Sequence, residues 1–194
     1  MSGSQPIVVV LAGPNGAGKS TVAPRLLQGA LGVTEFVNAD AIASGLSAFN
    51  TEGAAIAAGR VMLGRLKELA RQRVSFAFET TLASRTFAPW LTDLKRDGYA
   101  VHIVFLWLPS ADLAVQRVID RVAMGGHGVP VDVIQRRYRT GFRNFFQLYE
   151  PLATTWTFFD ASPRRPRRIA ERLADNTVKV YDRETWQTLS GRAQ

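Results

Sequence analysis

Residues 13–21 read Gly-Pro-Asn-Gly-Ala-Gly-Lys-Ser-Thr and follow directly on the apolar run 7–12, Ile-Val-Val-Val-Leu-Ala. They match the phosphate-loop pattern Gly-x-x-x-x-Gly-Lys-[Ser/Thr] in the setting that pattern needs, after a strand and at the start of a helix. Gly13, Gly16 and Gly18 allow backbone conformations and close approaches that a Cβ would block. The loop then turns the N–H groups of Gly16, Ala17, Gly18 and Lys19 inward, at the positive end of the helix. Lys19 is expected to reach the β- and γ-phosphates, Ser20 to bind Mg²⁺ and Thr21 to hydrogen-bond the α-phosphate, with Asn15 beside them in the nucleotide site. ATP and Mg²⁺ are therefore the expected cofactors.

Apolar runs alternate with helical patterns along the rest of the chain. Strands are predicted at 7–12, 35–39, 74–79, 99–109 and 155–160, with a small edge strand at 177–182. Helices are predicted from the phosphate loop to about Gly29, over 52–71, over 87–98, from an N-cap at Ser110, over 131–149 and over 166–175. In the second of these, Ile56, Leu63, Leu66 and Ala70 share one face. With 194 residues, 46% of them hydrophobic, the pattern predicts one α/β domain over 1–194. This is a P-loop NTPase fold, with a parallel central sheet of about five strands flanked by helices.

Ligands of such sheets bind at the carboxyl ends of the strands. Asp40 falls just past the second strand and Glu79 ends the third. A phosphoryl acceptor needs a base or an orienting carboxylate. Asp40 suits that role, with helix capping as its alternative. Glu79 would orient the acceptor or serve as the metal-linked acid. The fourth strand ends in Leu-Pro-Ser without an acid, which argues against a motor ATPase. Arg117 and Arg121, four residues apart, share a helix face and precede the Gly-rich stretch Gly-Gly-His-Gly-Val-Pro at 125–130. Arginines around such a loop predict a closing lid over about 121–140, able to neutralise the transferring phosphoryl group and exclude water. Arg121 and Arg137 are its leading candidates, Arg136 rivals the latter, and His127 sits within the loop.

The net charge of +8 suits an anionic substrate. The densest basic cluster, Arg-Arg-Pro-Arg-Arg-Ile-Ala-Glu-Arg at 164–172, has no interleaved aromatics, so nucleic acid is the less expected partner. The chain has no cysteine, no run as long as a membrane span and no secretory signal pattern, and a cytoplasmic location is expected.

Taken together, VLAGPNGAGKST, FVNADAIA, FETTLASRTF, GGHGVP and RRY, spread over residues 7–160, resemble the zeta toxin family of P-loop kinases. Members of that family use ATP and Mg²⁺ to phosphorylate a sugar hydroxyl of UDP-N-acetylglucosamine. The resemblance implies Asp40 as base and matches Glu79, Thr81 and Leu82 to the family's Glu-Gly-Thr-Leu. It gives Asp40, Thr81 and Arg85 to the acceptor, Arg121 and Arg137 to the lid, and an antitoxin protein as candidate partner. Thr80 stands where the family has glycine, and the stretches at 83–87 and 125–130 also depart from it. These departures lie on the acceptor side, so ATP use carries over more firmly than the acceptor's identity. Two other readings remain: a nucleoside or polynucleotide 5′-hydroxyl kinase, and a nucleotide-gated regulatory ATPase.

Overall fold

The computed structural model describes residues 5–47 and 53–192. The chain runs β1 (Ile7–Ala12), α1 (Lys19–Pro24), β2 (Glu35–Val37), α2 (Ala39–Leu46), α3 (Ala55–Arg71), β3 (Phe76–Thr80), α4 (Phe87–Arg96) and β4 (Ala100–Trp107). It continues through α5 (Ala111–Ala123), α6 (Val131–Asn144), β5 (Thr155–Asp160), β6 (Arg167–Arg172), β7 (Val178–Val180) and α7 (Arg183–Arg192). Wider π-helical turns extend α1 over Arg25–Ala30 and α6 over Phe145–Tyr149.

One seven-stranded sheet has the order β2-β3-β1-β4-β5-β6-β7. Its first five strands are parallel, and β6 and β7 are added antiparallel. Side chains alternate along β1, and both of its faces are covered, as a parallel strand requires. Val8 and Val10 enter a core with Met62, Leu66 and Leu69 of α3 and Leu91 and Leu94 of α4. Val9 and Leu11 enter a second core with Ala23 of α1, Leu27, and Ala114 and Val118 of α5.

Several local expectations are corrected. The buried stripe of α3 is Ala58, Met62, Leu66 and Leu69, while Ile56 is exposed. The stripe is shifted because α3 packs against α2 and the edge strand β2, and turns Met62, Leu66 and Leu69 into the core. Residues 167–172, expected to be helical, form β6. The register Trp156↔Arg172 to Asp160↔Arg167 pairs them with β5, and Ile169 and Ala170 are buried. Pairing with the open edge of β5 outweighs the helical propensity of Arg, Ala and Glu. The sheet is thus wider than about five strands by this antiparallel pair, and the edge strand expected near 177–182 is β7.

The register brings the strand ends together. Glu79 pairs with Leu11 and Thr80 with Ala12, while Val37 pairs with Phe78. The acid closing β3 therefore sits beside the start of the phosphate loop and level with Asn38. Gly13 and Gly16 permit the loop's own path. Both have positive φ, and a Cβ at Gly16 would lie 2.7 Å from the carbonyl oxygen of Ala114. A Cβ at Gly13 would overlap the carbonyl oxygen of Leu106 at the end of β4.

Candidate active site

Lys19 opens α1 from a buried position. Its Nζ donates to the carbonyl oxygens of Gly13 and Pro14, both at 2.9 Å, and lies 3.6 Å from Glu79 Oε1. Burial pulls its pKa below the usual lysine value, opposed by the charges of Glu79 and Asp40. Ser20 Oγ donates to Glu79 Oε2 at 2.8 Å, and Asn38 Nδ2 donates to the same oxygen at 2.8 Å. Four groups from β3, α1 and the β2–α2 junction thus converge on one point.

Asn38 is also the N-cap of α2, where its Oδ1 accepts from the backbone N–H of Asp40 at 2.8 Å and of Ala41 at 3.2 Å. This removes the capping alternative for Asp40. Asp40 lies in the first turn of α2 and lines the cleft. Motif and spacing do not single out Asn38, although an asparagine between a strand and a helical stretch is itself the signal of a cap.

Two cavities meet here. The larger, about 650 Å³, runs along Asn15–Val22 to Arg117, Arg121 and the loop at Ala161–Pro166. The smaller, about 270 Å³, is bounded by Thr80, Thr81, Ser84, Phe87 and Arg137. Asn15, Lys19, Asp40 and Glu79 line both. The larger cavity has the phosphate loop as its floor, and the smaller has the ends of β2 and β3.

The arginines separate. Arg117 Nη1 donates to the Ala161 carbonyl at 2.8 Å and Nη2 to that of Ser162 at 2.5 Å, so it ties α5 to the loop after β5. Arg121 Nη2 donates to the His127 carbonyl at 2.6 Å, and its Nε is buried without a hydrogen-bond partner. Arg137 lines the smaller cavity, while Arg136 is exposed and lines neither. His127 lines neither cavity as well. Arg85 is exposed and outside both; its charge acts instead on Tyr149.

The loop after β3 is held from α6 and the turn after it. Asn144 Nδ2 donates to the Leu82 carbonyl at 2.8 Å, which fixes the left-handed backbone of Leu82 (φ 55°). The Tyr149 hydroxyl donates to the Ser84 carbonyl at 2.5 Å, and burial pushes its pKa up to about 12, so it remains a donor. Gly141 lies directly against the backbone of Thr81.

Ser20 Oγ and the Glu79 carboxylate are hard oxygen donors placed side by side at the loop. Among the described residues no group of three or more His, Cys, Asp or Glu side chains is arranged to hold a metal. One hydroxyl and one carboxylate fit Mg²⁺, which keeps water and phosphate oxygens as its remaining ligands.

Three of the five arginines in the basic cluster are paired with carboxylates. Arg167 pairs with Asp160, Arg168 with Glu171 and Arg172 with Glu150, each at 3.0 Å. Among the described residues no helix is long and apolar enough to cross a membrane.

The family model described as Zeta toxin matches residues 1–187. A protein of Haemophilus influenzae is 29% identical over 126 residues, which cover 65% of this chain and 88% of its own length. A chain of the AvrRxo1-ORF1:-ORF2 complex with ATP superposes with a TM-score of 0.73 at 16% identity, over 97% of this chain. The present chain spans 64% of that one. A chain of the PezAT chromosomal toxin-antitoxin system of Streptococcus pneumoniae superposes with a TM-score of 0.65 at 15% identity, over 99% of this chain and 87% of its own.

Proposed function

This chain belongs to the zeta toxin family of P-loop phosphotransferases, and from that premise we propose that it transfers the γ-phosphoryl group of ATP to a hydroxyl of a sugar nucleotide such as UDP-N-acetylglucosamine. The observation that carries this reading is the pair of joined cavities with Asp40 and Lys19 on the walls of both. A hydrolase or gate needs one nucleotide cavity. A transferase needs a second, opening on the terminal phosphate.

In this reading the larger cavity takes ATP. The N–H groups of Gly16–Lys19 receive its phosphates, and Lys19 exchanges its carbonyl partners for the β- and γ-oxygens. Ser20 and Glu79 are the residues that would hold Mg²⁺, whose chemistry there is neutralisation of charge on the phosphates. The acceptor hydroxyl enters from the smaller cavity, beside Thr80, Thr81 and Ser84. Asp40 aligns that hydroxyl and takes its proton as the new P–O bond forms. Arg121 and Arg137 close from the 121–140 segment onto the donor and acceptor sides and exclude water. A cognate antitoxin protein belongs to the same proposal, since the PezAT neighbour is a toxin-antitoxin system.

The test is incubation with γ-labelled ATP, Mg²⁺ and a panel of UDP-sugars, nucleosides and 5′-hydroxyl oligonucleotides. Label on a UDP-sugar is the expected result. Label on an oligonucleotide or nucleoside would replace the acceptor class, and label released only as inorganic phosphate would reduce the protein to a nucleotide-gated ATPase.

A further inference from the structure

Asn15 stands where the two cavities join, and it lines both. The residue is only 8% exposed, and its Oδ1 has no hydrogen-bond partner. Its neighbours are engaged: Ser20 and Asn38 bond Glu79, and Lys19 bonds Gly13 and Pro14. A buried side-chain oxygen without a donor is uncommon and points to a partner that arrives with a ligand. Its place in the chain narrows that partner. Asn15 immediately precedes the N–H groups of the phosphate loop, and it borders the smaller cavity as well as the larger. A carboxamide offers donors on its nitrogen and an acceptor on its oxygen, so one side chain can touch an anion and a hydroxyl at once.

We propose that Asn15 is a catalytic residue that bridges the two substrates, an inference that rests on the phosphoryl-transfer reading above. When the substrates bind, the carboxamide turns to bring its buried Oδ1 to the cavity; its NH₂ then donates to an oxygen of the γ-phosphoryl group, and its Oδ1 accepts the hydrogen bond of the attacking hydroxyl. In the step itself, the bond from the acceptor oxygen to phosphorus forms and the bond from the β,γ-bridging oxygen to phosphorus breaks. ADP departs with that electron pair, and the hydroxyl proton passes to the Asp40 carboxylate. Asn15 gives up and gains no proton. It holds the line of attack, and it fills the space between the cavities where water would otherwise stand.

The experiment compares wild type with Asn15→Ala and Asn15→Asp. Calorimetry gives the affinity for Mg²⁺-ATP and Mg²⁺-ADP, and γ-labelled ATP with UDP-N-acetylglucosamine gives the partition of label between acceptor and inorganic phosphate. Asn15→Ala should bind ADP as the wild type does, which also reports a folded site. Its preference for ATP over ADP should fall by about tenfold or more, the worth of one hydrogen bond to a charged group. Label should shift toward inorganic phosphate by a similar factor. Asn15→Asp should lose ATP affinity further, because a carboxylate then faces the γ-phosphoryl oxygens. An ATP-to-ADP affinity ratio and a label partition that both match the wild type would overturn the proposal, as would parallel loss of both nucleotides. Failure of the transfer reading looks different: the wild type itself would label no hydroxyl compound, and the ATP-to-ADP ratio alone would then decide the Asn15 contact.

Discussion

The hydroxyl of Ser20 donates to Glu79 Oε2 at 2.8 Å, joining the first turn of α1 to the end of β3 across two paired strands. The sequence leaves Glu79 two roles, orienting the acceptor or backing the metal, and this contact favours the second. Glu79→Gln keeps the shape and removes the charge. The variant should need a higher Mg²⁺ concentration for half-maximal transfer and should lose roughly 10²–10³-fold in rate, the scale of one lost electrostatic group. A Mg²⁺ titration of labelled-phosphate transfer, with chelation as the zero point, checks this. A wild-type Mg²⁺ profile would return Glu79 to the acceptor.

Arg121 donates to the His127 carbonyl and borders the larger cavity. If it acts on charge that develops during transfer, Arg121→Ala should slow the turnover of bound ATP by about 10²-fold or more while ATP affinity changes only a few-fold. Single-turnover rates beside equilibrium binding separate the two. Parallel loss of affinity with unchanged turnover would make Arg121 a binder of the ground state.

Gly141 lets α6 rest on the Thr81 carbonyl. Alanine is the better helix former by about 1 kcal/mol, yet here its methyl would overlap backbone that cannot give way cheaply. Gly141→Ala should therefore destabilise the protein, by about 1–3 kcal/mol. It should also raise the KM for the acceptor while ATP affinity holds, because only the smaller cavity is displaced. Denaturant melts and paired titrations read both effects.

The phosphate loop, the five parallel strands and the two strand-end carboxylates are legible in the sequence because local pattern alone specifies them. A strand, a glycine-rich turn and a helix start are contiguous in the chain, and Asp40 and Glu79 follow their strands directly. What is not legible depends on distant pairing. Residues 167–172 form β6 only because β5 offers an open edge. The inward stripe of α3 is set by the sheet beneath it, which leaves Ile56 exposed. Arg117 and Arg121 share a helix face in sequence, but the loop after β5 claims the first and the 124–130 segment the second. Asn38 carries a capping signal, while its bond to Glu79 arises from the β2–β3 register.

Asp40 gives the most direct test of the central claim. Asn38 caps α2, so Asp40→Asn leaves that cap intact and removes only the charge and basicity that the acceptor hydroxyl would use. Nucleotide affinity and phosphorylation of the acceptor are measured side by side on this variant. The account predicts ATP affinity within a few-fold of wild type and transfer lower by roughly 10²–10⁴-fold. Phosphorylation at the wild-type rate would contradict it.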